Sequence, residues 1–189
     1  IYDLFGSFDA GATLVIPTES NATNPSNWVE LVKSYKITIW NSVPALLKMF
    51  LKELQSGQDT EVNSLRRFFL SGDVIDDSIP GMVRERFDNY MLISLGGATE
   101  GSIWSIWWDI TDDDVGGMLP YGVALTNQKM FVLNANGKQT PDNVKGEIAI
   151  GGAGVAVGYY NDRELSEKKF AYSEALKTRL FYTGDVGYV

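Results

Sequence analysis

The chain has 189 residues, 44% of them hydrophobic, and 24 acidic against 16 basic side chains give a net charge of −8. It contains no Cys and no His, which excludes disulfides, thiolate metal sites, a cysteine nucleophile, a Ser-His-Asp triad and most zinc sites. The acidic balance argues against a basic nucleic-acid surface, and no apolar run approaches a membrane span, so neither nucleic acid nor membrane is expected as a partner. Chemistry without imidazole or thiol favours positioning and electrostatics over general-base catalysis. There is no signal peptide and no initiating Met, and the opening Ile1-Tyr2-Asp3-Leu4-Phe5 already lies in an amphipathic segment. A piece of a longer cytoplasmic polypeptide is expected.

Residues 1–9 read as the end of a helix stopped by Gly11, and residues 12–16 as a strand ending at Pro17. Trp28, Leu31, Val32 and Tyr35 share one helix face. The β-branched and aromatic run 37–41 predicts a strand. Pro44 suits the first turn of a helix carrying Leu46, Leu47, Phe50, Leu51 and Leu54, which Gly57 ends. Residues 67–71 predict another strand, residues 79–87 a helix and residues 90–95 a buried strand. This alternation argues for an α/β fold: a parallel sheet flanked by helices, with ligands beyond the carboxyl ends of the strands. Asn41, Ser71-Gly72-Asp73 and Gly96-Gly97 lie at such ends. Past residue 109 the pattern changes. Asp109, Asp112, Asp113 and Asp114 crowd a loop whose spacing does not match a calcium loop, and residues 128–150 read as β-hairpin material. A smaller antiparallel β portion is expected, with the division at 1–112 and 113–189.

Three stretches bear on chemistry. Gly96-Gly97-Ala98-Thr99-Glu100 follows the strand at 90–95. Its glycines allow a tight turn and close approach to a ligand, and its hydroxyl and carboxylate suit a polyphosphate and Mg²⁺. On these five residues alone, a strand end followed by a helix N-cap is the preferred reading. The glycine-rich run 151–159 departs from a dinucleotide fingerprint, because its last glycine comes one residue late and no helix clearly follows at once. Glycine bulges and turns in a β region are expected there instead. At Tyr182-Thr183-Gly184-Asp185, the Asp suits a ribose diol, and an Asx turn is the plainer alternative.

Taken together, residues 96–100, Gly146-Glu147-Ile148 with 151–159, and residues 182–185 resemble consecutive core motifs of adenylation domains. These belong to the acyl-adenylate-forming superfamily, and the resemblance is to those of nonribosomal peptide synthetases. It covers nearly the whole chain, including Tyr2-Asp3-Leu4-Phe5-Gly6 and the run 11–15. It implies ATP and Mg²⁺ as cofactors, with Thr99 on phosphate and Glu100 on Mg²⁺ as the catalytic pair. Asp185 would bind the ribose, and Gly72, Asp73, Gly96 and Gly97 would lie near the adenine. The family's common motif has Tyr where Gly96 stands and Pro where Ala98 stands, so a stacking face for the base is missing here. The side-chain pocket maps onto Tyr2, Asn41, Phe69, Ser71, Leu95, Ile103 and Trp104. That set resembles the cysteine-selecting pattern, with Phe69 where Leu is usual, and a serine-like substrate is the nearest competitor. The resemblance further implies an amino-acid substrate, phosphopantetheine on a partner peptidyl carrier domain, and neighbouring synthetase domains. The family's phosphate loop and catalytic lysine would lie outside the chain, which alone is expected to catalyse little. An acyl-CoA or aryl-acid ligase, and a non-catalytic scaffold or docking segment, are the alternatives.

Overall fold

The computed structural model describes residues 1–57, 62–114 and 119–189. In chain order the elements are α1 (Tyr2–Asp9), α2 (Pro25–Tyr35), β1 (Ile39–Ser42), α3 (Pro44–Ser56), β2 (Arg67–Ser71), α4 (Ser78–Arg86) and β3 (Met91–Gly96). There follow β4 (Ile106–Ile110), β5 (Val123–Ala124), β6 (Gln128–Leu133), β7 (Gly146–Gly152), α5 (Arg163–Lys169), β8 (Phe170–Ser173) and β9 (Thr178–Gly187). A mixed, mostly parallel sheet has the order β1-β2-β3-β4-β5, and a separate antiparallel sheet has the order β6-β7-β9-β8. The expected class, a helix-flanked parallel sheet followed by antiparallel β structure, is the fold observed. Among the described residues no helix is long and apolar enough to cross a membrane.

Two compact units emerge, Ile1–Ser94 with Asp109–Pro120, and Leu95–Trp108 with Tyr121–Val189. The division expected after residue 112 falls inside the Asp109–Pro120 segment, and residues 115–118 lie outside the described residues.

In the first unit, local sequence dictates the helix ends. Pro25 and Pro44 open α2 and α3 at first-turn positions where a missing N–H costs nothing. Asn24 caps α2 by accepting from the Asn27 N–H, and Lys36 closes it in the left-handed conformation. The α3 stripe Leu47, Phe50, Leu51 and Leu54 is buried, each large side chain contributing about 1.5–3 kcal/mol by leaving water. β1 and β2 are parallel, with Asn41 beside Phe69. Phe68 and Leu70 of β2 are fully buried, while Phe69 and Ser71 are only half-buried, so the strand's period of two assigns one face to the core and the other to a partly open surface. Residues 12–16 belong to neither sheet. The strand expected there is absent because an apolar β-branched run becomes a strand only where another strand's N–H and C=O groups meet it.

The second unit holds the antiparallel sheet. β6 and β7 form the expected hairpin partners, Met130 opposite Ile150 and Val132 opposite Ile148. Asn134 shapes the intervening turn by accepting from the N–H groups of Asn136 and Lys138 at 2.9 and 3.2 Å. Alternation again separates two faces. Leu133, Ala149 and Leu180 cluster together, and Ile150, Phe170 and Phe181 form a second cluster that Met130, Val155, Ala156 and Tyr159 join.

Candidate functional site

In the first unit, Asn41 lies in β1, one residue before its end, with its side-chain amide donating to Asp3 Oδ1 at 2.6 Å. Tyr2 meets Phe69 edge to face, with centroids 5.9 Å apart. Phe69 and Ser71, two residues apart, lie on the half-buried face of β2. A cavity of about 600 Å³ is lined by Tyr2, Asp3, Trp28, Trp40 and Asn41 among others, and Phe69 and Ser71 are not in its wall. Gly72 follows β2 at φ +86°, a left-handed conformation that favours glycine. Asp73, exposed, accepts from the Val74 N–H at 2.8 Å.

In the second unit, the chain leaves β3 at Gly96-Gly97 and makes a 3-10 turn at Thr99–Gly101. Gly97 is required: at φ +152° an added Cβ would stand 2.6 Å from the Ser105 nitrogen and 3.0 Å from Ile103 O. At Gly96 an added Cβ would instead meet side chains, Ile106 Cδ1 at 2.7 Å and Tyr121 Cε2 at 3.6 Å. Ile106 therefore stands where a side chain at 96 would begin, with Tyr121 in van der Waals contact beside it. Burial and then the Asp185 charge raise the Tyr121 phenol above the ordinary value. Leu95 is buried in β3. Ser102 and Ile103 both have positive φ, +67° and +71°. A β-branched residue there is a backbone outlier of the kind that clusters at ligand sites.

Thr99 is exposed and Glu100 half-buried. The Tyr159 hydroxyl donates to Glu100 Oε1 at 2.5 Å. That hydrogen bond first, then desolvation and the nearby Glu100 and Asp162 charges, push the Tyr159 phenol up to about 12. Asp185 lies in β9, exposed, one residue after Gly184 at φ +90°. Its N–H donates to Thr183 Oγ1 at 3.0 Å, and the Thr183 hydroxyl donates to Ile148 O at 2.7 Å. The turn is thus a threonine turn and not the Asx turn weighed from sequence, which leaves the Asp185 carboxylate outside that hydrogen bond. The Gly184 N–H donates to Glu147 Oε1 at 3.0 Å, so the 146–148 motif supports the 182–185 motif directly.

Mg²⁺ keeps several waters and takes one or two carboxylates plus substrate phosphate oxygens. One half-buried carboxylate held by a neutral phenol, with a hydroxyl next to it in sequence, fits that donor set. Among the described residues no group of three or more acidic side chains forms an all-protein cage. Sequence reasoning missed Tyr159 and Tyr121, although Tyr159 closes the glycine-rich run that it singled out.

The AMP-binding enzyme family matches residues 1–160. The chain belongs to that family. It is 40% identical over 188 residues to pyochelin synthetase PchF of Pseudomonas aeruginosa (strain UCBPP-PA14), across 99% of this chain and 10% of that protein. To bacitracin synthase 1 of Bacillus licheniformis it is 43% identical over 189 residues, 99% of this chain and 4% of that one. The chain thus spans a tenth or less of either relative. Among solved structures, the nonribosomal peptide synthetase FmoA3 (S1046A) superposes with TM-score 0.93 at 34% identity, covering all of this chain and 20% of that one. The same protein is known in an AMPPNP-bound form, TM-score 0.91, and an alpha-methyl-L-serine-AMP-bound form, TM-score 0.93. These matches agree with an adenylation-domain segment of a nonribosomal peptide synthetase.

Proposed function

We propose that this chain is the central part of a cytoplasmic amino-acid adenylation enzyme, an ATP- and Mg²⁺-dependent ligase that activates cysteine for nonribosomal peptide synthesis. The observation that carries the reading is the turn after β3, where Gly97 allows the backbone to close and Glu100 presents a carboxylate held by Tyr159. FmoA3 in its AMPPNP-bound form, at 34% identity over the whole chain, supports a nucleotide site.

In this proposal Thr99 donates its hydroxyl to a phosphate oxygen and Asp185 accepts from the ribose hydroxyls. Gly72, Asp73, Gly96 and Gly97 border the base. Glu100 would hold Mg²⁺, which when bound supplies charge neutralisation for the phosphates. The substrate carboxylate attacks the α-phosphorus, the bond to the β-phosphate oxygen breaks, pyrophosphate leaves and an aminoacyl-adenylate remains. The attacking carboxylate is already ionised and needs no base, which suits a chain without His. The aminoacyl group then passes to the phosphopantetheine thiol of a peptidyl carrier domain beside neighbouring synthetase domains. Tyr2, Asn41, Phe69, Ser71, Leu95, Ile103 and Trp104 are assigned to side-chain selection. The short polar groups of Asn41 and Ser71 suit a small thiol or hydroxyl, and FmoA3 bound to alpha-methyl-L-serine-AMP gives the serine-like competitor substance.

Amino-acid-dependent ATP–pyrophosphate exchange by the full-length protein, run across all amino acids, tests this. Cysteine is expected to give the highest kcat/KM, with serine next. Stimulation by a bulky residue and not by cysteine would overturn the substrate assignment.

A further inference from the structure

We propose that Tyr159 is a positioning residue for Glu100, so that the loop after β7 aims the carboxylate at its cation. The proposal rests on the adenylation reading above and adds a residue to it. Glu100 is held twice by this one loop. Its carbonyl accepts from the Ala156 N–H at 2.8 Å, and its Oε1 accepts from the Tyr159 phenol at 2.5 Å. The rest of the turn is tied to the same region: Ser102 Oγ donates to Gly154 O at 2.7 Å, and Gln128 Nε2 donates to Gly101 O at 2.9 Å.

Tyr159 is itself fixed at three points. Its ring packs edge to face on Phe170, centroids 5.4 Å apart, within the cluster around Ile150 and Phe181. Its N–H donates to Ser166 Oγ of α5 at 2.8 Å. It follows Gly158 at φ +147°, where an added Cβ would meet that same Ser166 Oγ at 2.8 Å. A phenol fixed in this way sets the plane of the Glu100 carboxylate. It occupies one oxygen, leaves Oε2 to face a cation, and leaves the carboxylate charge intact because the donor is neutral.

The test compares Tyr159→Phe, Ser166→Ala and Glu100→Gln with the wild type in the full-length protein. Two readouts are used: Mn²⁺ binding in the presence of AMPPNP by electron paramagnetic resonance, and the Mg²⁺ dependence of pyrophosphate exchange. Losing one hydrogen bond to a charged group raises the half-saturating Mn²⁺ and Mg²⁺ of Tyr159→Phe roughly tenfold, with the amino-acid KM and the melting temperature unchanged. Ser166→Ala, which frees the main-chain anchor, gives a smaller shift in the same direction and carries the test if Tyr159→Phe folds poorly. Wild-type Mn²⁺ binding by Tyr159→Phe while Glu100→Gln is impaired overturns the proposal and leaves the adenylation reading standing. A metal shift accompanied by equal changes in amino-acid KM and melting temperature also overturns it. Wild-type metal binding by Glu100→Gln overturns the metal role of Glu100 and the proposal with it.

Discussion

The two glycines that end β3 look alike in sequence and differ in what surrounds them. A Cβ at Gly97 runs into main-chain atoms of Ser105, Ile103 and Trp104, which cannot move without opening the turn. A Cβ at Gly96 meets the Ile106 and Tyr121 side chains, which can shift. Gly97→Ala is therefore expected to destabilise the protein by about 2–3 kcal/mol and Gly96→Ala by about 1 kcal/mol, read as the drop in melting temperature. Equal drops would contradict this assignment of the turn. Gly96, Gly97, Thr99 and Glu100 stood out because glycine, hydroxyl and carboxylate in one short stretch are compatible with a ligand-facing turn, and the family resemblance gave them their proposed roles. It missed Tyr159 because that contact joins residues 59 apart in the chain, and no local spacing encodes it. The threonine turn before Asp185 was equally hidden, since Thr183 and Asp185 can each close a turn on a backbone N–H two residues on and only the fold shows which bond forms.

At the scale of elements, helices were the most legible. Pro44 and Gly57 bracket α3 as expected, while of the stripe expected on α2 Trp28 and Val32 are buried, Leu31 is half-buried and Tyr35 is exposed, with Val29 buried in its place. β2 was also read in full, because an apolar run bounded by polar residues needs little else. Residues 12–16 carry an apolar, β-branched run of similar length and belong to neither sheet. One inter-element link has a pH signature. Lys48 on α3 sits 2.8 Å from Asp76, just before α4. The Lys48 ion pair and the Ser78 hydrogen bonds hold the Asp76 carboxyl well below its ordinary 3.8. A depressed carboxyl stabilises the fold above its unfolded pKa, and that contribution fades as pH falls below 3.8 toward the folded value. In Lys48→Met, hydrogen exchange of α3 and α4 is expected to quicken relative to wild type at neutral pH, and the difference to narrow below pH 3.8. A gap that widens on acidification would contradict the pairing.

For the whole molecule, fold class was legible because alternating strands and helices followed by hairpin signals leave few architectures open. The family was legible because several ordered motifs, none decisive alone, occur together. The first compact unit takes up Asp109–Pro120 after the chain has already entered the second, an order that no local sequence pattern announces. Composition is consistent with the proposed reaction: an ionised carboxylate attacking an electrostatically held phosphate calls on neither His nor Cys, and this chain has neither. Glu100 carries that claim. The most direct test is amino-acid-dependent ATP–pyrophosphate exchange by the full-length protein carrying Glu100→Gln. Removing the charge is expected to lower kcat/KM for MgATP by about a hundredfold or more, with the protein still folded. Exchange within a few-fold of wild type would contradict the placement of the metal-assisted step at this turn.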